Sequence, residues 1–378
     1  MKIESRTTAE SPAPATTTAT PIADAKAMYV RRHLTPLIFT GLVLLLPATL
    51  LAAVSNGSTA IPFTTVLQIL LNGSHLFHFQ QGWDPALTII IWDLRLPEAL
   101  GAALVGAGLA VAGVLFQGML RNPLADPFLM GTSSGAALGA VIAFILPLDT
   151  TYGLFFSLTP LLAFSGALLT VLLVYAIARV GGRTPVVTLL LAGVVMNALL
   201  VAVQTLILTL SPQAQFNLQA LFNWLSGGIS VNSWWPVVIV GSLIMAGIGG
   251  ALVLGQVLDA FALGEEGAAH LGLRVEWYKF LLIMLGSLLT AAAVSISGLI
   301  GFVGLVTPHM LRLLIGPRHR PLIAASALGG ASFLTLADLL ARTVIAPAVL
   351  PVGVFTALIG APFFLYLLRQ SKKEYRWS

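Results

Sequence analysis

Long stretches of this chain carry no charge, and that decides what it can fold into. No Asp, Glu, Lys or Arg occurs in 33–83, 99–120, 127–148, 150–178, 184–258, 280–311, 321–337 or 343–368. A helix needs about 20 mostly apolar residues to cross about 30 Å of hydrocarbon. Intervals 99–120, 127–148, 150–178 and 343–368 each hold one such helix, and another occupies 34–54. The rest of the first interval is broken by Asn56, Gly57, Pro62 and Gly73. Interval 184–258 holds two, at 186–209 and 234–256, separated by the polar run Ser211–Gln215 and the turn Ser226-Gly227-Gly228. Residues 277–315 hold two short spans joined near Ser297-Gly298, and 321–341 is the last. The expected fold is an all-α polytopic membrane protein with about ten transmembrane helices. Only 9% of the residues are charged, against about 25% in soluble domains. That is too few to cover a surface in water, and disorder needs low hydrophobicity and high charge.

Three segments are expected: a disordered N-terminal tail at 1–32, a ten-helix domain at 33–370 and a short basic cytoplasmic tail at 371–378. Thr7 to Ala25 is rich in Ser, Thr, Ala and Pro without apolar periodicity, the composition of an unfolded segment. No apolar core of a signal peptide precedes Pro36.

With an even count and the N-terminus inside, seventeen of the nineteen Lys and Arg fall on the inner side, and only Arg95 and Arg342 fall outside. That asymmetry is the positive-inside pattern. It accounts for the basic pI of 9.7 with no nucleic-acid partner. The rows Gly131, Gly135, Gly139 and Ala102, Gly106, Ala110 let helix backbones approach closely. Ala110–Leu115 echoes Ser295–Ile300, which suggests two pseudo-repeated halves.

Enzymatic chemistry finds little support. The chain has no cysteine, which excludes disulfides, thiolate metal sites and Cys nucleophiles. No Gly is followed by Lys-Ser or Lys-Thr, so there is no P-loop. Ser297 and His309 are twelve residues apart on what reads as one short span. That is about 18 Å along a helix, too far for a proton relay. No catalytic residue, metal ligand or cofactor is expected. No carboxylate lies deep in the bilayer, so ion-coupled transport is disfavoured and the energy source is expected to be another subunit.

Polar and small groups inside the spans are the next candidates. Asn197, Gln204 and Thr205 share one face of the fifth span, and Gly353, Thr356 and Gly360 share one face of the tenth. They either line a pathway or make hydrogen bonds between helices. Two inner loops stand out. In Arg121–Pro127, Asn122-Pro123 and Asp126-Pro127 each pair an N-cap with Pro at the first helical position. The segment Leu263-Gly264-Glu265-Glu266-Gly267-Ala268-Ala269-His270-Leu271-Gly272 is either a solvated loop or a short helix presented to a cytoplasmic partner. Outside, Asp338 and Arg342 are four residues apart and can pair on one helix face. Arg95 and Arg342 either anchor the interface or meet acidic residues of an external protein.

Several motifs occur together and in order. They are Arg95-Leu96-Pro97, Gly106–Gly113, Gln117-Gly118, Arg121–Pro127, Gly131–Gly135, Gly301–His309, Ala337-Asp338, Ala341-Arg342, Leu350–Gly353 and Gly360–Phe364. From about residue 36 to 370 the chain resembles the iron-siderophore and vitamin B12 permeases of bacterial ABC importers, the FecCD family. The resemblance implies ten helices per subunit and a second permease copy, as a homodimer, with the pathway between the copies. It also implies two ATP-binding subunits beneath and a periplasmic or lipid-anchored solute-binding protein outside. Both termini would face the cytoplasm of a bacterial inner membrane. By the same resemblance Leu263, Gly264, Glu265, Glu266, Ala269, Leu271 and Gly272 would couple to the ATPase. Arg95 and Arg342 would dock the binding protein, and the fifth and tenth spans would line the pathway. Glu98 stands where many members have a second Arg after Leu-Pro, and Val349 where an acidic residue is common, so the docking charges here would be differently arranged. The expected cargo is a ferric siderophore or related iron complex. The alternatives are vitamin B12 or haem and, outside the family, a stand-alone channel or secondary transporter.

Overall fold

The computed structural model describes residues 21–57, 61–73, 79–80, 82–146, 151–152, 156–229, 231, 233–346 and 348–375. Its order is α1 (Pro21–Ser55), α2 (Phe63–Gly73), α3 (Pro85–Ile89), a π-helical turn (Ile90–Arg95), α4 (Leu96–Leu120), a 3-10 turn (Pro127–Met130) and α5 (Thr132–Ile145). A two-residue antiparallel hairpin, β1 (Thr151–Tyr152) and β2 (Phe156–Ser157), precedes α6 (Leu158–Ala178). Then come α7 (Val186–Leu210), α8 (Pro212–Phe216), α9 (Leu218–Leu225), α10 (Trp234–Phe261), α11 (Glu265–His270) and α12 (Val275–Ser297). The last three are α13 (Val303–Ile315), α14 (His319–Thr343) and α15 (Val352–Tyr375).

Among the described residues seven helices are long and apolar enough to cross a membrane: α1 from Leu34, the continuous Pro85–Leu120, α6, α7, α10, α12 and α14. The shorter apolar helices α5, α13 and α15 fall on the three remaining expected spans. The chain is an all-α, polytopic, membrane-embedded protein. The joint expected near Ser297-Gly298 is where α12 ends, at Gly298 with φ +63°. His309 therefore sits on α13 and not on the span that carries Ser297. The Ser297 hydroxyl donates to the Ala293 carbonyl.

The boundaries differ at both ends. Residues 21–32, expected in the irregular tail, begin α1 at Pro21; Ala23, Ala25 and Ala27 are strong helix formers. The basic segment expected from 371 continues α15 to Tyr375. Residues 1–20 and 376–378 lie outside the described residues. The link after α1, where turn formers and polar groups pointed to irregular chain, contains α2, which buries Val66 and Ile69.

Helix α4 is the hub. It packs against α14, α12, α10 and α13, and 89% of its apolar window is buried. Small residues make this possible. The backbones of Gly113 and Gly304, and of Gly106 and Gly330, come so close that an added Cβ would overlap the opposing carbonyl oxygen. The α5–α6 pair uses Gly135 and Gly166 in the same way. The glycine rows are packing seams, worth their dispersion contacts where lipid supplies no hydrophobic drive. At the other extreme, α7 buries only Leu189 and Gly193.

Candidate functional site

The inner face is built by two capped turns and a short helix. The chain leaves α4 through Arg121 in the left-handed region, with φ 51°. The Asn122 side chain then accepts from the Leu124 N–H at 2.9 Å, and Asp126 from the Phe128 N–H at 2.8 Å. Both Asx-Pro turns thus form as the sequence dictates. Burial pushes the Asp126 carboxyl up from its ordinary value, and the Phe128 N–H pulls the other way.

The segment Leu263–Gly272 is a helical turn and not an irregular loop. Gly264 (φ +96°) and Gly272 (φ +84°) flank α11 in conformations that favour glycine. Leu263 and Leu271 are 68% and 62% exposed, and Glu266, Ala269 and Gly272 are also exposed. Glu265 points the other way, onto Lys279, and Gly264 is buried. The expected coupling residues therefore divide into an outward apolar surface and an inward tie.

On the opposite side, neither expected docking arginine projects outward from this chain. Arg95 is buried and donates to the Val54 and Ser55 carbonyls at 3.0 and 3.3 Å, closing the C-terminal end of α1. Arg342 has its side chain 10% exposed and bridges Glu98 at 3.0 Å and Asp338 on its own helix. The i,i+4 pairing read from sequence is present. Glu98 and Asp338 together hold Arg342 inward.

The two pathway faces fare differently. On α7, Asn197 and Thr205 are exposed and Gln204 is half-buried. The Thr205 hydroxyl is satisfied by the Val201 carbonyl at 2.9 Å. On α15, Thr356 is fully buried within this chain, and its hydroxyl donates to the Gly353 carbonyl. A Cβ on Gly353 would strike the Ser226 carbonyl, and one on Gly360 the Phe302 ring. Their smallness serves packing within the chain. The exposed face of α15 is instead apolar, with Val354, Leu358 and Ile359.

The FecCD transport family profile matches residues 44–370. The chain belongs to that family. It is 44% identical over 296 residues to the cobalamin import permease BtuC of Halobacterium salinarum, covering 77% of this chain and 76% of that one. It is 38% identical over 314 residues to the hemin transport permease HmuU of Yersinia pestis, covering 80% and 91%. A solved inward-facing metal-chelate type ABC transporter shares 30% identity at a TM-score of 0.73, over 89% of this chain and 99% of the other. As a FecCD permease the chain is the membrane subunit of an ABC importer of the metal-chelate type, in which ATP hydrolysis belongs to separate subunits.

Sequence reasoning missed two features of the site. One is the tie between Glu265 and Lys279, an inner-side lysine that read only as a topology signal. The other is the inward role of Arg95, whose single signal was its place beside Leu-Pro.

Proposed function

We propose that this FecCD permease carries a ferric siderophore or related iron complex into a bacterial cell, working with a second copy of itself, two ATP-binding subunits and an external solute-binding protein. The observation that carries this reading is the state of α7. The side-chain amides of Asn197 and Gln204 stand seven residues apart on one face. Neither makes a hydrogen bond among the described residues, and α7 is the least buried of the seven long helices. Unpaired amides facing hydrocarbon are costly, so this face meets water or another protein. A polar passage at a seam between two copies supplies both. The inner-side clustering of Lys and Arg supports cytoplasmic termini, and the exposed Leu263 and Leu271 beside Glu266 offer an amphipathic seat for an ATPase groove.

The direct test is ATP-dependent uptake of ferric siderophore, haem and cobalamin by the complex reconstituted in vesicles. Saturable uptake of the ferric siderophore above the other two supports the iron reading. The names of the two relatives favour haem and cobalamin as the second reading, and preference for either would replace it. Flux through the purified permease alone, without ATPase, would overturn the importer assignment. A second expectation concerns the inner seat. Leu263→Asp with Leu271→Asp removes the only large apolar side chains of that turn and should cut ATP-driven uptake at least tenfold. Both positions are largely exposed, so the melting temperature of the isolated permease should stay within about 2 °C of the parent.

A further inference from the structure

Lys279, near the inner end of α12, is 2% exposed, and its ammonium group is held against two carboxylates and a backbone carbonyl. Its Nζ lies 3.0 Å from Glu265 on α11, 3.0 Å from Glu276 on its own helix, and 2.9 Å from the Thr184 carbonyl in the α6–α7 turn. The cluster closes on itself, because the Thr184 N–H donates to the second oxygen of Glu276 at 2.9 Å. Thr184 is completely buried. One residue later Pro185 (φ −62°) caps α7. Proline fixes its own φ and holds the preceding residue extended, so little slack separates the Thr184 clamp from the first turn of α7.

From this arrangement we infer that Lys279 is the positioning residue that makes the inner end of α7 follow α11. The inference rests on the proposed function: α11 belongs to the ATPase seat and α7 to the passage. A displacement of α11 pulls on Glu265. Lys279 then either moves with it, dragging Thr184, or gives up a charge-assisted contact in a buried site where water offers poor replacement. α7 packs on α5 and α6 but buries only Leu189 and Gly193 completely, so it is the long helix best able to respond. α10, which also leads into the α11 segment, carries no charged side chain into this cluster. A purely structural role for the lysine would secure folding without linking the two motions.

The experiment compares native, Lys279→Met and Glu265→Gln permeases as the complete reconstituted complex. It measures ATP turnover, uptake, and hydrogen exchange of the peptides containing 180–188 and 263–272 with and without ATP. In the native complex both peptides should change protection together. In Lys279→Met the 263–272 peptide should still respond while 180–188 no longer does, and uptake per ATP hydrolysed should fall at least tenfold. If both peptides still respond together and uptake per ATP is unchanged, the inference is overturned. Should Lys279→Met fail to assemble, Glu265→Gln decides the matter. It cuts only the α11 end of the tie and should lower uptake per ATP several-fold, and an unchanged ratio again overturns the inference. If the native complex takes up none of the three cargoes, the proposed function fails instead. The tie is then read in the permease alone, where Lys279→Met should speed exchange of the Thr184 amide at least tenfold. Unchanged exchange there would also overturn it.

Discussion

Gly113→Leu should leave almost no folded permease to purify, whereas Gly249→Leu, the same change on another helix, should be nearly neutral. At Gly113 an added Cβ would overlap the Gly304 carbonyl oxygen, with the Gly304 carbonyl carbon and Cα also inside contact distance. Those neighbours are backbone at the first turn of α13 and cannot swing aside as a side chain would. Overpacking a core where side chains can yield costs about 1–3 kcal/mol. Separating two helix backbones by a whole side chain, on a helix buried on nearly every side, should exceed about 3 kcal/mol. A Cβ at Gly249 meets nothing within 4 Å, and Leu is the better helix former there. Yield and melting temperature in detergent, measured side by side, decide the matter. A Gly113→Leu permease that melts with the parent would refute the close approach of α4 and α13.

Arg342→Met should destabilise the permease by about 3–5 kcal/mol, the usual cost of removing one partner from a buried ionic cluster. Without the guanidinium, the Glu98 and Asp338 carboxylates share a site where Asp338 is almost fully buried. The triple variant Glu98→Gln, Asp338→Asn, Arg342→Met removes the three paired charges, leaves Arg95 on the Val54 and Ser55 carbonyls, and should recover most of the loss. Thermal melts of the single and triple variants check both halves. The alternative role, capture of an external protein by a free arginine, makes the opposite forecast: the melt would not move, and affinity for the loaded binding protein would fall. The contacts to Glu98 and Asp338 favour the first outcome. They also show what the glutamate after Leu96-Pro97 does here: it gives Arg342 an acceptor from the same protein.

Much of this architecture could be read from the order of residues, for a definite physical reason. Crossings are set by where charge is absent and chain reversals by Pro, Gly and Asx. Both are local, so the break at Gly298, the turn at Asn122 and the cap at Asp126 were readable. Which side of a crossing faces its neighbours was not. In water a helix shows its buried face by contrast between apolar and polar residues, but in lipid both faces are apolar. Gly353, Thr356 and Gly360 therefore read as the wall of a passage, while within this chain Gly353 packs against Ser226 and Gly360 against Phe302. Asn197 and Gln204 look the same in sequence and remain unpaired. The direction of the arginines is hidden for a related reason. Position fixes the side of the membrane on which a charge sits, whereas its direction depends on partners 40 or more residues away, such as Val54 for Arg95 and Glu98 for Arg342. The tie at Lys279 joins residues from three separate segments and leaves no periodic trace.

The backbone seams around α4 bear on how such a protein can move at all. Helices separated by a cushion of long side chains can slide by exchanging rotamers, but helices whose main chains touch have no such lubricant. Shear between α4 and either α13 or α14 would drive carbonyl oxygens into the opposing glycines. Whatever rearrangement admits a large chelate, those three rods turn as a single casting, and the yielding parts lie at the sparsely held rim.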